Sequence, residues 1–441
     1  MKRTFLLGTI LSIFLAQPFF AEEKNVVTIT IESAVKMALE TNISIHREKI
    51  SLEQSERNYK HSWNNFLPSI SASGSITPSG TLSDSDSTVI VSQAGASASL
   101  SLSTGIGAKI KSLKADYKAG KASYDDTVRK VENSVRKSFY EVLYKKDSFL
   151  VAEENEKSYE RSYNLTKTKK ERGVVPEIDL LTAEVNLESA KLDKESARIE
   201  YMKTLISFLD TVGIQPEPDT EVQIEGSLDA ADSISEIKMD VAFNAKKNSP
   251  EIRKLREQLE SAKLSKTSSS LDSYLPSVNL SASVYPLKNT YYLGSDSSTD
   301  SDSWSAGVSV SIPLDSFIYG SKTSDSLKSQ QDTIKDFELQ IKDKEKSVVA
   351  DVLSDQQAIS LSKGTLKSRN SKVELAKKKL DLTEEAYNRG TKDLETLSDA
   401  MDAYRSARLD LKKQQYELLS SVLDLEEKLG LSADTYISKA E

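Results

Sequence analysis

Residues 304–314 read WSAGVSVSIPL, and this stretch restricts the chain more than any other. Trp304, Ala306, Val308, Val310, Ile312 and Leu314 alternate with Ser305, Gly307, Ser309 and Ser311. Alternation with period two belongs to a β-strand that is apolar on one face and small and polar on the other. Three further segments repeat it. Ile70, Ala72 and Ile76 alternate with serines. Ala94, Ala96, Ala98, Leu100 and Leu102 alternate with Ser97, Ser99 and Ser101. Val278, Leu280, Ala282 and Val284 alternate with Asn279, Ser281 and Ser283. Four such strands in two hairpins leave two open edges and one wide apolar face to be covered.

The remainder reads as helix. Ile110, Leu113, Tyr117, Gly120, Tyr124, Val128, Val131 and Val135 recur every three or four residues, and no proline interrupts residues 108–170. At 1.5 Å per residue this predicts a rod of about 90 Å. It stops at Arg172-Gly173, where glycine suits a left-handed helix end, and Pro176 suits the first turn of the next helix. There Ala183, Leu187, Ala190, Ala197, Tyr201, Thr204 and Phe208 hold a heptad seam.

The whole pattern then recurs. Asn42 matches Asn248, and Leu67-Pro68-Ser69 matches Leu275-Pro276-Ser277. Gly107 and Lys109 match Gly320 and Lys322, and Arg172-Gly173 matches Arg389-Gly390. Ala183, Ala190 and Gly213 match Ala400, Ala407 and Gly430 at one constant offset. The expected organisation is a first repeat over 22–215, with a hairpin at 67–103 and a tip turn at 172–176. A linker over 216–232 leads to a second repeat over 233–430, with a hairpin at 276–314 and a tip turn at 389–392. A tail follows over 431–441. Thr30 is expected to cap a helix running to about Trp63, and Ser233 with Glu236 forms a second capping box. Short strands are expected at 26–31 and 222–224. The polar stretches 77–88 and 294–303 are expected as exposed loops.

Residues 1–21 read as a secretory signal: Lys2 and Arg3 precede an apolar run over 5–20, with cleavage near Ala21. An uncleaved anchor is the competing reading. No later run approaches the roughly 18–20 apolar residues of a transmembrane helix. With no Cys, the chain has neither disulfides nor a lipidated N-terminal Cys. A formal charge of −8 weighs against nucleic acid as a partner. Only 38% hydrophobic residues, with 11 Phe and 2 Trp, suits long helices with narrow seams better than one globular core. No catalytic set is present. His46 and His61 share one predicted helix without Cys, which makes no metal site. Gly105-Ile106-Gly107 with Lys109 lacks phosphate-loop spacing. An enzyme is therefore excluded, and no cofactor is expected.

Protein or lipid can cover the apolar face. A lipid-facing barrel must close, because no backbone group stays unpaired in hydrocarbon. Four strands cannot close; several chains giving four each can, with serine inward. Tyr285, Tyr291, Tyr292 and Trp304 lie at one end of the second hairpin. Trp63, Phe66, Tyr274, Phe317 and Tyr319 lie at the other strand ends, where a second aromatic girdle belongs.

The duplicated Leu-Pro-Ser entry, the exit Ile312-Pro313-Leu314-Asp315 followed by Gly320, and the two glycine turns followed by Leu and Ala repeats form an ordered set. Over about residues 28–430 this set resembles the TolC-like outer-membrane efflux channels. The resemblance implies a mainly α fold with membrane β: a helical coiled-coil barrel plus four strands per chain. It implies a homotrimer whose twelve-stranded barrel sits in outer-membrane lipid above a periplasmic helical tunnel. It further implies a passive exit duct for tripartite efflux or type I secretion, used by an inner-membrane pump (RND, ABC or MFS type) through a periplasmic adaptor. An exported coiled-coil structural protein or adhesin is the alternative. The resemblance also implies sites. The adaptor would dock at Arg172, Gly173, Val174 and Val175 and at Arg389, Gly390, Thr391 and Lys392. Asp179, Tyr387 and Lys392 would latch the tip. Thr396 and Asp399 would stand at the tunnel constriction, with only Asp399 supplying an acidic ring. Drugs, peptides and unfolded proteins all fit a serine-lined tube.

Overall fold

The computed structural model describes residues 25–81, 84–214, 220–235, 237, 245–247, 249–292, 298–432 and 435–437. The expected signal segment, Glu236 and Asn248 lie outside them. Strand β1 (Asn25–Ile29) leads into α1 (Ile31–Thr41) and α2 (Ile43–Lys60). The hairpin β2 (Ser69–Thr81) and β3 (Asp84–Leu102) follows, then α3 (Ile106–Glu171) and α4 (Glu177–Val212). Strand β4 (Thr220–Ile224) pairs parallel to β1. After it come α5 (Pro250–Tyr274), the hairpin β5 (Ser277–Tyr292) and β6 (Ser298–Ser311), α6 (Lys322–Asn388) and α7 (Leu394–Leu429). At 66 and 67 residues, α3 and α6 are rods of about 100 Å. The two halves repeat one plan: helix, hairpin, long helix, glycine turn, helix.

Local chemistry sets the breaks. Thr30 and Ser33 exchange side-chain-to-backbone bonds at the start of α1. The helix expected to run unbroken to Trp63 instead divides at Asn42. Its Oδ1 accepts the N–H groups of Ser44 at 2.8 Å and Ile45 at 3.4 Å, so an extended Asn42 caps α2. A 3-10 turn over Ser62–Phe66 then delivers the chain to the sheet. Ser233 caps no helix. It closes a 3-10 turn, its hydroxyl donates to Ala230 O, and the next residue, Ile234, bridges to Ile437 of the returning C-terminal stretch. That long-range pairing within the chain keeps Ile234 extended, where a helix capped by Ser233 would need it helical.

Four helices end alike. Gly173, Gly213, Gly390 and Gly430 adopt φ of 72°, 79°, 79° and 67°. At the first, Val174 N donates to Lys169 O and Gly173 N to Lys170 O, which satisfies the orphan carbonyls of the last turn. Gly213 is confined: a Cβ there would lie 2.4 Å from Thr41 Oγ1, which itself donates to Val212 O. Gly213→Ala is expected to cost about 1–3 kcal/mol in denaturant unfolding. Gly173→Ala, with nothing within 4 Å of the added carbon, should cost less.

The main core lies where β1, β4 and the C-terminal stretch wrap the helices. Phe139, Phe208, Leu418, Leu419, Val422 and Leu423 are buried there with Ile29 and Ile224. A smaller cluster of Tyr159, Ala183, Leu187, Ala190, Tyr387, Leu394, Leu397 and Met401 lies toward the glycine turns.

The sheet is antiparallel in the order β2-β3-β5-β6, so the two hairpins meet through β3 and β5. Its strands reach beyond the alternating segments. Thr77, Pro78 and Ser79 pair with Val91, Ile90 and Val89, and Thr299 and Ser298 pair with Thr290 and Tyr291. The stretch expected as a loop at 77–88 is therefore mostly ladder, as is the second half of 294–303. Alternation marks only where one face is apolar; a strand with two polar faces keeps its backbone bonds but loses the signal.

Candidate functional site

The wall comes first. Cross-strand partners put like with like. Ile70, Ala98, Ala282 and Ala306 form one row, and Ala72, Ala96, Val284 and Trp304 form the next. The same register aligns Ser71, Ser97, Ser283 and Ser305 on the opposite face, where Ser71 bonds Ser97 at 2.9 Å and Ser283 bonds Ser305 at 2.8 Å. Pro286 sits inside central strand β5, where it cannot donate to a ladder. The strand bulges there: Val284 faces Ala96 while Leu287 faces Ala94. The extra residue keeps Leu287 and Tyr291 on the apolar face. A Cβ on Gly95 would strike Val284 O at 2.2 Å, so glycine at this site lets the bulge approach.

That apolar face has no cover within the chain. Ile70, Ile76, Trp304, Val308, Val310 and Leu314 are 78%, 75%, 79%, 70%, 65% and 72% exposed. Over Ser298–Ser311 β6 rises about 43 Å, which at a tilt of about 40° spans about 33 Å, enough to cross a lipid-facing band of about 25 Å. Among the described residues no helix is long and apolar enough to cross a membrane.

The other end of the molecule is the tip. Gly173 and Gly390 end α3 and α6 in matching turns; at the second, Thr391 N donates to Ala386 O and Gly390 N to Tyr387 O. Arg172, Val174, Arg389, Thr391 and Lys392 are exposed and Val175 is half-buried. Arg389 pairs with Glu385 of its own helix. Pro176 and Asp393 take the N-cap positions of α4 and α7. Asp393 accepts from both the N–H and the hydroxyl of Thr396, and these bonds hold its carboxyl below the usual range. Thr396, expected at the constriction, thus also serves as a cap partner. Asp399, one turn further on, is exposed and has no ion-pair partner among the described residues. The repeat inverts this order: Asp179 occupies the place of Thr396, and Thr182 that of Asp399.

Of the three residues expected to latch the tip, Tyr387 is anchored inside the chain. It is buried, and its hydroxyl shares a 2.7 Å bond with buried Thr166 of α3. Lys169 donates to the Tyr387 carbonyl, and its ammonium stands 3.7 Å from the ring centroid. Burial raises the Tyr387 phenol, helped by the nearby charge of Asp179; burial also lowers Lys169. Within one chain, the Asp179 and Lys392 side chains bond neither to Tyr387 nor to each other. Sequence reading missed Thr166 and Lys169. It also missed Tyr159, whose buried hydroxyl meets Ser398 Oγ at 3.0 Å and is pushed up to about 12, so it stays protonated at neutral pH. The available signal was weak: polar residues at seam positions of α3 and α7.

An uncovered apolar sheet with a serine face, carried on paired rods with duplicated glycine turns, defines an outer-membrane duct. Residues 34–210 and 242–431 match the outer membrane efflux protein family, and the chain belongs to it. It is a passive exit duct in the outer membrane and not an enzyme. Solved channels share the fold at low identity. The Campylobacter jejuni CmeC outer membrane channel is 16% identical with a TM-score of 0.72, over 93% of this chain and 87% of that one. The open state of the Neisseria gonorrhoeae MtrE outer membrane channel is 20% identical with a TM-score of 0.68, over 92% and 90%. The Vibrio cholerae outer membrane protein VceC is 14% identical with a TM-score of 0.72, over 91% and 96%. No curated protein matches the chain in sequence.

Proposed function

We propose that three copies of the chain close one channel-tunnel, which a periplasmic adaptor joins to an inner-membrane pump. One observation carries this reading: the same two sides are open at both levels of the molecule. In the sheet, β2 and β6 each keep one unpaired edge. In the helical part, α4 packs on α3, α3 on α7 and α7 on α6, so α4 and α6 are the flanks. Each flank shows apolar residues at heptad spacing: Ile178, Val185, Leu192, Ile199 and Ile206 on α4, and Leu361, Leu375 and Leu382 on α6. A threefold operation brings β6 against the next β2, antiparallel, and α4 against the next α6. Crosslinking and mass determination of detergent-extracted protein should give a trimer. A monomer would reject the shared barrel.

The exposed turns Arg172–Val175 and Arg389–Lys392 are the adaptor-docking tip in this reading. Across the threefold contact Asp179 and Lys392 find partners on the neighbouring chain and hold the tip shut, with Tyr387 as the fixed post beside them. Asp399 from each chain forms the acidic ring of the constriction. Replacing Asp179 and Lys392 together by Ala is expected to raise single-channel conductance severalfold in planar bilayers. Unchanged conductance in assembled trimers would remove the latch. Cargo choice belongs to the pump.

A further inference from the structure

We propose that the first turns of the long helices form a basic collar that binds anionic phospholipid head groups of the leaflet next to the tunnel. The proposal rests on the membrane-spanning sheet described above and adds a lipid partner to it. A belt of exposed apolar and aromatic side chains closes the sheet at its helical end: Trp63, Phe66, Leu314, Phe317, Ile318 and Tyr319. Such a belt marks the level of the lipid head groups. The helices begin directly beneath it, and the first turns of α3 are strongly cationic although the chain as a whole carries −8, whereas those of α6 set Lys322 and Lys328 against Asp325 and Asp332. Residues 106–118 hold four lysines and one acid, Asp116, which Ser261 already engages. The second long helix opens on Lys322, the counterpart of Lys109 in the first repeat.

Lower on the same rods acids are about as frequent as lysines and arginines, whereas residues 106–118 hold four lysines to one acid. Further down α3, Lys130, Lys137, Lys145 and Lys157 each have an acidic partner within 4.0 Å. Lys109, Lys111, Lys114 and Lys322 are exposed and have none among the described residues. Lys111 and Lys114 stand three residues apart on one side of α3. Ser112, bonded to Ser261 of α5, and Tyr117, stacked on Tyr59 of α2, mark the two packed sides, and neither lysine lies on them. Along the axis Lys111 and Lys114 lie about 8 and 12 Å below Ile106. A head-group layer of about 5–7 Å and a Debye length of about 8 Å bring both within its field. One cation already touches the belt: Lys328 Nζ stands 4.4 Å from the Tyr319 ring centroid. Unpaired positive charge, continuous with a lipid-facing surface, is complementary to a phosphodiester head group and to little else at that level.

The test is lipid retention by the full-length protein. The wild type and a Lys111→Gln, Lys114→Gln, Lys322→Gln variant are reconstituted into vesicles of phosphatidylglycerol and phosphatidylcholine in equal parts. They are re-extracted at physiological salt, and retained lipid is counted by native mass spectrometry. The wild type should retain phosphatidylglycerol at about fivefold or more over phosphatidylcholine, and the variant should approach parity. Entry into vesicles with equal retention of both lipids, or an undiminished preference in the assembled variant, overturns the collar alone. Failure of the wild type to enter vesicles of any composition overturns the membrane-spanning reading and the collar with it.

Discussion

Val308→Arg is expected to abolish assembly in the outer membrane, whereas Ser309→Arg, one residue on, is expected to leave it intact. Val308 lies midway along the apolar band of β6, 70% exposed and opposite Leu280. An arginine at the lipid midplane costs about 2–4 kcal/mol, and the proposed trimer would place three in one barrel. The total rivals the stability of a typical domain. Ser309, opposite Asn279, belongs to the serine face and points into water. Three arginines there should leave trimers in outer-membrane fractions while lowering cation conductance. Heat-modifiable trimer on gels, followed by bilayer recordings, reads both effects. Loss of assembly in both variants, or in neither, would mean that the two faces of the sheet do not differ as described.

The second large effect belongs to the core. Phe208→Ala should lower the stability of the helical part by about 3–5 kcal/mol. Phe208 is 1% exposed, and its ring meets that of Phe139 edge-on at 5.9 Å. Phe139 in turn lies under the chain at Gly226, where an added Cβ would approach its ring to 3.0 Å. Removing Phe208 therefore undermines the joint between α3, α4 and the segment after β4 as well as one seam. Denaturant unfolding followed by far-ultraviolet circular dichroism should show the loss. Ile199→Ala on the same helix faces outward at 60% exposure and should barely change an isolated chain.

Much of this architecture was legible in residue order, because two simple periods govern most of it. Serine alternation set the four strands and their faces, and the heptads with their glycine stops set α3, α4, α6 and α7. The break at Asn42 was not legible: an Asn within helical spacing gives no sign that its side chain will cap the next helix. The extent of the strands was hidden where both faces are polar, as at Thr77–Ser79. Ser233 was misread because its segment is organised by a residue two hundred positions away, Ile437. At the tip the glycine turns were visible, but the partners of Tyr387 were not. Thr166 and Lys169 reach it only because α3 and α6 both pack on α7 and bring their ends together at the tip.

The serine face has a consequence for traffic. Three cross-strand pairs engage some of its hydroxyls, Ser71 with Ser97, Ser283 with Ser305 and Ser277 with Ser311, while Ser73, Ser99, Ser281 and Ser309 stand open to the water. A passenger moving along such a lining meets mostly short, neutral, wettable groups, each of which trades one hydrogen bond to water for another. The surface is slippery to many chemistries because it grips none of them, and a conduit of this kind can be handed new cargo by a change of supplier without altering a residue of its own.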